Sequence, residues 1–248
     1  MENHELLRRA EDLAARCERS GSLTATGFLS PAERAQLYHW VKNRPELKLL
    51  FFGGHPDCER TVAFFLPYYM EEEDFAPEEH LRAIGLTAHF GSPGHRDYMG
   101  ALLGMGIGRE WLGDIWVSGD TATVFCLPSV EKHLLGIDKA GRVSVSARPL
   151  PLAEVPAPER KVKELSFSVM SPRLDAVLAG MFRLSRSEAA RQIGFGNVSV
   201  NYMQSDKTDL TVREGDVISL RGAGKGKITG TGGVSRKGRL FVYAEVYQ

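Results

Sequence analysis

The sequence predicts an α+β protein in three parts: a small N-terminal α/β unit, a central ferredoxin-like plait, and two helices that precede a compact β element. The first observation is order. Strand-like runs at Ile84–Phe90, Leu112–Val117, Thr121–Leu127 and Arg142–Ala147 are interrupted by helical stretches at His95–Met105 and Ser129–Leu135, which is the βαββαβ order of a split-βαβ plait. The second is a break: "RPLPLAEVPAPER", Arg148 to Arg160, holds four of the twelve prolines without hydrophobic periodicity and reads as a semi-rigid linker. The third is the change beyond it, where helical spacing gives way to alternation. The expected domains are residues 1–80, 81–149 and 165–248, with 150–164 as the Pro-rich linker.

In chain order, helices are expected over about Glu5–Arg19 and Pro31–Asn43, the second with Ser30 as N-cap, Pro31 at N1 and Glu33 at N3. Apolar strands at Leu47–Phe52 and Thr61–Leu66 follow across "GGHPDC", and "EEEDFAPEE" at Glu71–Glu79 is an acidic surface stretch. In the plait, "SGD" between the middle strands is a hairpin signal. Past the linker, Leu174, Val177, Leu178, Met181 and Phe182 fall on one helical face, with Ser171 as N-cap and Pro172 at N1. A second helix starts at Ser185, with Glu188 completing a capping box, Ala189, Ala190 and Ile193 buried, and Gly194 or Gly196 at its end. "NVSVNY", "LTVREGDVISLRG" and "GRLFVYAEVY" then alternate as strands.

Of 248 residues, 43% are apolar and 25% charged, ordinary for a soluble globular chain. The apolar runs are far shorter than the roughly 18 residues of a membrane span, and the N-terminus has no signal-peptide pattern. A cytoplasmic protein with no membrane contact is therefore expected. Cys17, Cys58 and Cys126 form no CxxC pair and are expected as reduced thiols; His55 and Cys58 are spaced like metal ligands, but no second pair follows. Neither a metal nor a cofactor is expected. The net charge of zero hides a division: from Arg160 onward there are 15 Lys and Arg against 8 Asp and Glu, and before it 16 against 23. A basic C-terminal third raises the question of a polyanionic partner, a solvated charged surface being the alternative.

Within that third, Arg186 stands in the first turn of a predicted helix, where the dipole is already positive. A phosphate there is favoured by both the dipole and the guanidinium. Arg173 occupies the matching place on the preceding helix and Arg191 lies about one turn beyond Arg186, so two helix starts offer cations to one backbone. The alternative is pairing with Asp175, Glu188 or solvent. From Val217 to Ala244 there is no acidic residue, while Arg221, Lys225, Lys227, Arg236, Lys237 and Arg239 are spread among seven glycines. Those glycines let backbone approach a partner or make tight turns between strands. "RGAGKGKI" lacks the spacing of a nucleotide loop, and "HRD" at His95–Asp97 lacks the asparagine of a kinase catalytic loop. Gly104, Gly106 and Gly108 alternate without completing a dinucleotide fingerprint.

"RLDAVL", "LSRSEAARQI", "GNVSVN" and "VREGDVISL" resemble, in order and spacing, the S4 (αL) RNA-binding domain, departing at Tyr202, where many S4 domains have glycine. With "HRDYMGALLGMGIGRE.LGDI" and the tail "RGAGKGKI", the chain resembles the YlmH family of bacterial S4-domain proteins. The resemblance implies a non-catalytic RNA-binding protein. It implies structured RNA as partner, 23S ribosomal RNA and tRNA, on a large ribosomal subunit carrying a stalled peptidyl-tRNA, with the protein acting as a monomer. The residues assigned to RNA are Arg173, Ser185, Arg186, Arg191, Gln192, Asn201, Arg221, Lys225 and Lys227, with His95, Arg96 and Arg109 from the plait. For the last three the alternative is bracing of the first plait helix through Asp97, Glu110 and Asp114. Trp111 and Trp116 stack on bases or pack in the core, at least one being expected in the core. Two competing functions remain: an RNA-modifying enzyme targeted by its S4 domain, whose cofactor signatures the sequence lacks, and a protein-binding adaptor linked to cell division.

Overall fold

The first helix carries its apolar side chains at helical spacing and lies against a sheet that the second helix also covers. In the computed structural model, which describes residues 2–158, 162–234 and 238–247, α1 spans Glu2–Ser20, β1 Thr24–Leu29, α2 Pro31–Val41, β2 Lys48–Phe52 and β3 Thr61–Leu66. The strands form an antiparallel sheet of order β1-β3-β2. Ser30 and Glu33 form the expected capping box on α2, the carboxylate accepting from the Ser30 N–H at 2.7 Å. β1 is an addition to the sequence reading: "TATGFL" is short, small and threonine-rich, and acquires its strand character from pairing with β3.

β3 is buried on both faces, which is why it reads as a continuous apolar run rather than an alternation. Ala63 and Phe65 pack with Ala10, Ala14 and Leu37 under the helices. Val62, Phe64 and Leu66 point the other way, into a core shared with Leu81, Ala83, Phe125 and Leu152. Burying Phe64 and Phe65 contributes about 2–3 kcal/mol each by removal of apolar area from water.

The following segment contains α3 (Pro77–His80), β4 (Arg82–Ala88), α4 (His95–Gly104), β5 (Leu112–Ser118), β6 (Thr121–Cys126), α5 (Pro128–Leu134), β7 (Lys139–Ala140) and β8 (Val143–Leu150). Its antiparallel sheet has the order β5-β6-β4-β8-β7. One face, through Ile84, Leu86 and Val124, buries Tyr98 and Leu102 of α4 and Leu134 of α5. The opposite face carries Ala83 and Phe125 into the core shared with the N-terminal sheet, and the Trp116 ring stands edge-on to Phe125 at 4.9 Å. Trp116 is therefore a packing residue, whereas Trp111 is partly exposed.

The expected linker begins as sheet instead. β8 runs through Arg148 and Pro149 to Leu150, paired with β4, while β7 opposes it only at Val143 and Ser144. Beyond Val145, whose N–H donates to the Asp138 carbonyl at 2.9 Å, it is an edge strand, where proline's missing N–H is tolerated. A short 3-10 helix at Leu152–Glu154 then buries Leu152, and Val155 is buried beside it.

The chain divides into two compact units, Met1–Glu159 and Arg160–Gln248. Arg160, Arg236 and Lys237, named above, lie outside the described residues. The second unit contains β9 (Val162–Val169), α6 (Leu174–Phe182), α7 (Arg186–Gly194), β10 (Val198–Val200), β11 (Met203–Gln204), β12 (Val217–Leu220), β13 (Gly224–Val234) and β14 (Leu240–Tyr247). Its antiparallel sheet has the order β11-β10-β12-β13-β14-β9. α6 and α7 pack Leu174, Val177, Leu178, Ala189 and Ile193 on Val198, Ile218, Ile228 and Val242. β9, in the charged stretch after the prolines, was not expected as a strand; it pairs along its whole length with β14.

Two capping expectations are corrected. α6 starts at Leu174 with Arg173 as N-cap, not at Pro172 with Ser171. The first free N–H groups, of Leu174 and Asp175, donate to the carbonyls of Leu210 (2.8 Å) and Thr208 (3.1 Å), so a loop satisfies what a hydroxyl was expected to cap. On α7, Ser185 Oγ accepts from the Glu188 N–H at 3.1 Å, but no reciprocal bond forms. The Glu188 carboxylate is taken by Arg191 and Gln192, one turn on.

Candidate nucleic-acid interface

The two helix starts of the C-terminal unit meet at one carboxylate. Asp175, in the first turn of α6, is 7% exposed and accepts from Arg186 Nη2 at 2.7 Å and from Arg173 Nε and Nη2 at 3.3 and 3.4 Å. Burial pushes its pKa upward, but the hydrogen bonds from Arg186 and Arg173 outweigh that and hold the carboxyl below the usual carboxylate range. Arg186 therefore has a partner without a phosphate. Its side chain nonetheless remains 60% exposed and that of Arg173 41%, so one buried anion holds two guanidiniums side by side with donors facing solvent. The signal in the sequence was "PRLD" followed eleven residues after Asp175 by Arg186; the tertiary turn that superposes them was not legible.

Around this pair the other assigned residues divide. Arg191 is bonded to Glu188, Gln192 Nε2 donates to Glu188 at 2.7 Å, and Gln192 Oε1 accepts from Asn197 Nδ2 at 2.8 Å. Asn201 donates to Asp216 at 2.8 Å and accepts from the Val217 N–H at 2.9 Å, which ties the β10–β11 turn to β12. These side chains hold structure together. Arg221 is exposed at the β12–β13 turn. Lys225 and Lys227 alternate on β13 with Gly226 and Ile228, which are buried toward α6, so the lysines stand on the opposite sheet face. Gly222 and Gly224 have φ of 82° and 111°, and a Cβ on Gly226 would come within 3.0 Å of Met181 Sδ. The glycines of "RGAGKGKI" thus serve a turn and close packing.

In the first unit His95 and Arg96 are exposed at the start of α4, whose N-terminus is capped by Asp97 accepting from the Gly94 N–H at 2.8 Å. Arg109 is half-buried, with Nη1 3.1 Å from Met99 Sδ, and burial depresses its pKa. Its neighbour Arg60, which sequence reading did not single out, is deeper. Arg60 donates to the carbonyls of Leu112 (3.0 Å), Phe28 (3.0 Å) and Arg109 (2.9 Å), joining β1 and β5. Asp114 accepts from the N–H groups of Glu59 (2.7 Å) and Arg60 (3.1 Å). Among the described residues no group of three His, Cys, Asp or Glu side chains is arranged to hold a metal, and no helix is long and apolar enough to cross a membrane.

Residues 71–154, the segment carrying the five-stranded sheet, match the family described as "Putative RNA-binding domain in YlmH". The chain is 32% identical over 222 residues to the ribosome-associated protein quality control protein P2 of Bacillus subtilis (strain 168), covering 89% of this chain and 86% of that one. A solved structure, the cell division protein ylmH from Streptococcus pneumoniae, shares the fold over 62% of this chain and 94% of that chain, with a TM-score of 0.52 at 20% identity. With such a relative along most of both sequences and the family's RNA-binding domain in its first unit, the chain belongs to the YlmH family.

Proposed function

We propose that this protein is a non-catalytic RNA-binding factor of ribosome-associated quality control, recognising structured ribosomal RNA and tRNA on the large subunit by shape and phosphate position. The observation that carries the reading is the Arg173–Asp175–Arg186 cluster, two solvent-facing guanidiniums oriented by one buried carboxylate at neighbouring helix starts. Planar guanidinium forks suit phosphate oxygens, and a preorganised pair loses less side-chain freedom on binding. The S4-like sequence of this unit and the similarity to a protein named for ribosome-associated quality control support the same reading. On it, the sheet of order β5-β6-β4-β8 is a ferredoxin-like plait and residues 165–248 form the S4 module. His95, Arg96, Ser185, Arg221, Lys225 and Lys227 supply further contacts, while Gln192 and Asn201 shape the surface.

The test is charge neutralisation that leaves amide donors for Asp175. Arg173→Gln with Arg186→Gln is expected to weaken association with purified large subunits carrying peptidyl-tRNA by about tenfold or more while the circular dichroism spectrum is retained. Wild-type affinity for isolated ribosomal RNA is expected to fall steeply with salt, by about tenfold or more between 50 and 200 mM for a handful of phosphate contacts. Tight association by the double variant would overturn the assigned surface.

A further inference from the structure

The matched RNA-binding segment has turned away from the mode by which a four-stranded plait ordinarily holds RNA. Such sheets stack bases on aromatic side chains of their open face. Here that face is occupied: Ala83, Phe125 and Trp116 pack with Phe28, Val62 and Phe64 of the N-terminal part of the same unit. The remainder of the face carries exposed Thr87, Thr121, Ser144, Ser146 and Arg148, with no aromatic ring among them.

On the helix side a different feature is open. A cleft of about 460 Å³ lies between α4 and the segment leading into the β7–β8 hairpin, lined by Arg96, Asp97, Gly100, Ala101, Met105 and Ile137 on its walls and by Lys139 and Gly141 at the hairpin. Arg96 and Lys139 are both exposed, so two cations serve one cavity, and its lining also includes the Asp97 and Asp138 carboxylates and the apolar Ala101, Met105 and Ile137. The floor is kept open by glycine. Gly100 sits in mid-helix, where it costs about 0.5–1 kcal/mol relative to alanine, yet a Cβ there would meet nothing within 4 Å. Packing inside this chain does not require that glycine, and it leaves bare backbone on the wall of the cleft.

We infer that this cleft, and not the sheet face, is where the first unit holds RNA, and that it takes a single unpaired nucleotide. Arg96 and Lys139 hold the phosphate, Ala101 and Met105 give the base an apolar wall, and the Asp97 and Asp138 carboxylates accept from its amino groups. A volume of about 460 Å³ is on the scale of a small ligand such as one nucleotide. The inference rests on the RNA-binding reading above and adds to it a place and a chemical form.

The experiment uses the full chain and two labelled RNA duplexes annealed from separate strands, identical except that one carries a single bulged adenosine. The wild type is expected to prefer the bulged RNA by about tenfold, the worth of one stacked base. Gly100→Gln, whose Cβ is unobstructed and whose side chain would occupy the cleft, and the Arg96→Ala, Lys139→Ala pair are expected to remove that preference while keeping the weaker binding to the plain duplex. Gly104→Gln, at a glycine whose Cβ position is equally open but which lies outside the cleft, is the control and is expected to behave as wild type. Equal binding of the two RNAs by the wild type, or an unchanged preference in Gly100→Gln, overturns the cleft assignment. If wild type binds neither RNA, the RNA-binding reading falls as well; if binding depends on Arg173 and Arg186 but not on Gly100, only the cleft is wrong.

Discussion

Asp175 is the residue on which the C-terminal surface turns. Its carboxyl is held below its ordinary pKa, so its contribution to stability is fully present above the unfolded value of about 4 and is lost as pH falls through the lower folded value. Asp175→Asn is expected to destabilise the folded chain by about 1.5–3 kcal/mol at pH 7, the range for hydrogen bonds to a charged group. In urea melts between pH 7 and pH 3 the gap between the two proteins should close toward the acid end; a gap independent of pH would show that the carboxylate's charge is not the source. Tyr202 is the opposite case, a residue held against its preference. Asn201 and Tyr202 have φ of 50° and 66°, the paired left-handed geometry of a type I′ turn between β10 and β11. The turn thus keeps the backbone that glycine would favour. Tyr202→Gly is expected to stabilise by about 0.5–1 kcal/mol, relief of left-handed strain outweighing the added freedom of the unfolded chain; a loss of stability in the same melts would refute this.

Among the elements, α6 shows how far a helix is placed by its neighbours. The stripe from Leu174 to Phe182 was legible because apolar positions recur at helical spacing, but its start was set by Leu210 and Thr208, whose carbonyls receive the first N–H groups. Gly180 on that helix lies so close to β9 that a Cβ would overlap the Phe167 ring. Gly180→Ala is accordingly expected to cost about 1–3 kcal/mol despite alanine's better helix propensity, because the ring and strand must shift. Gly180→Ala combined with Phe167→Leu should recover part of it, measured as the change in denaturation midpoint. The same contrast explains the misread linker: proline density marked a break, yet β8 continues through Pro149 because only one of its edges is paired there.

At the scale of the molecule, each unit has its own core, and the first is built from two sheets that share one. Removing residues 1–80 would expose Phe125, Ala83, Leu81 and Leu152, all nearly inaccessible in the whole chain. A fragment of residues 81–158 is therefore expected to be aggregation-prone or molten, while 160–248 is expected to unfold cooperatively on its own, as seen by a sigmoidal thermal transition and dispersed amide resonances. A well-folded 81–158 fragment would show that the shared core is dispensable. The acidic and basic halves of the sequence follow this division, which is why a net charge of zero conceals a basic C-terminal unit.

What the sequence determined by itself is whatever depends on short-range periodicity or local motif: the strands and helices of the central sheet, the apolar stripes of α6 and α7, the Ser30 cap, and the combination of motifs that pointed to the YlmH family. These are local patterns, written within a few turns or one strand. Only the tertiary structure decided that Arg186 meets Asp175, that Arg60 is buried among carbonyls, that β9 pairs with β14, and that the outer face of the central sheet is partly covered. Each of these joins residues far apart in the chain or on different elements. Such contacts are selected by which surfaces bury together, and spacing along the sequence carries no record of that choice.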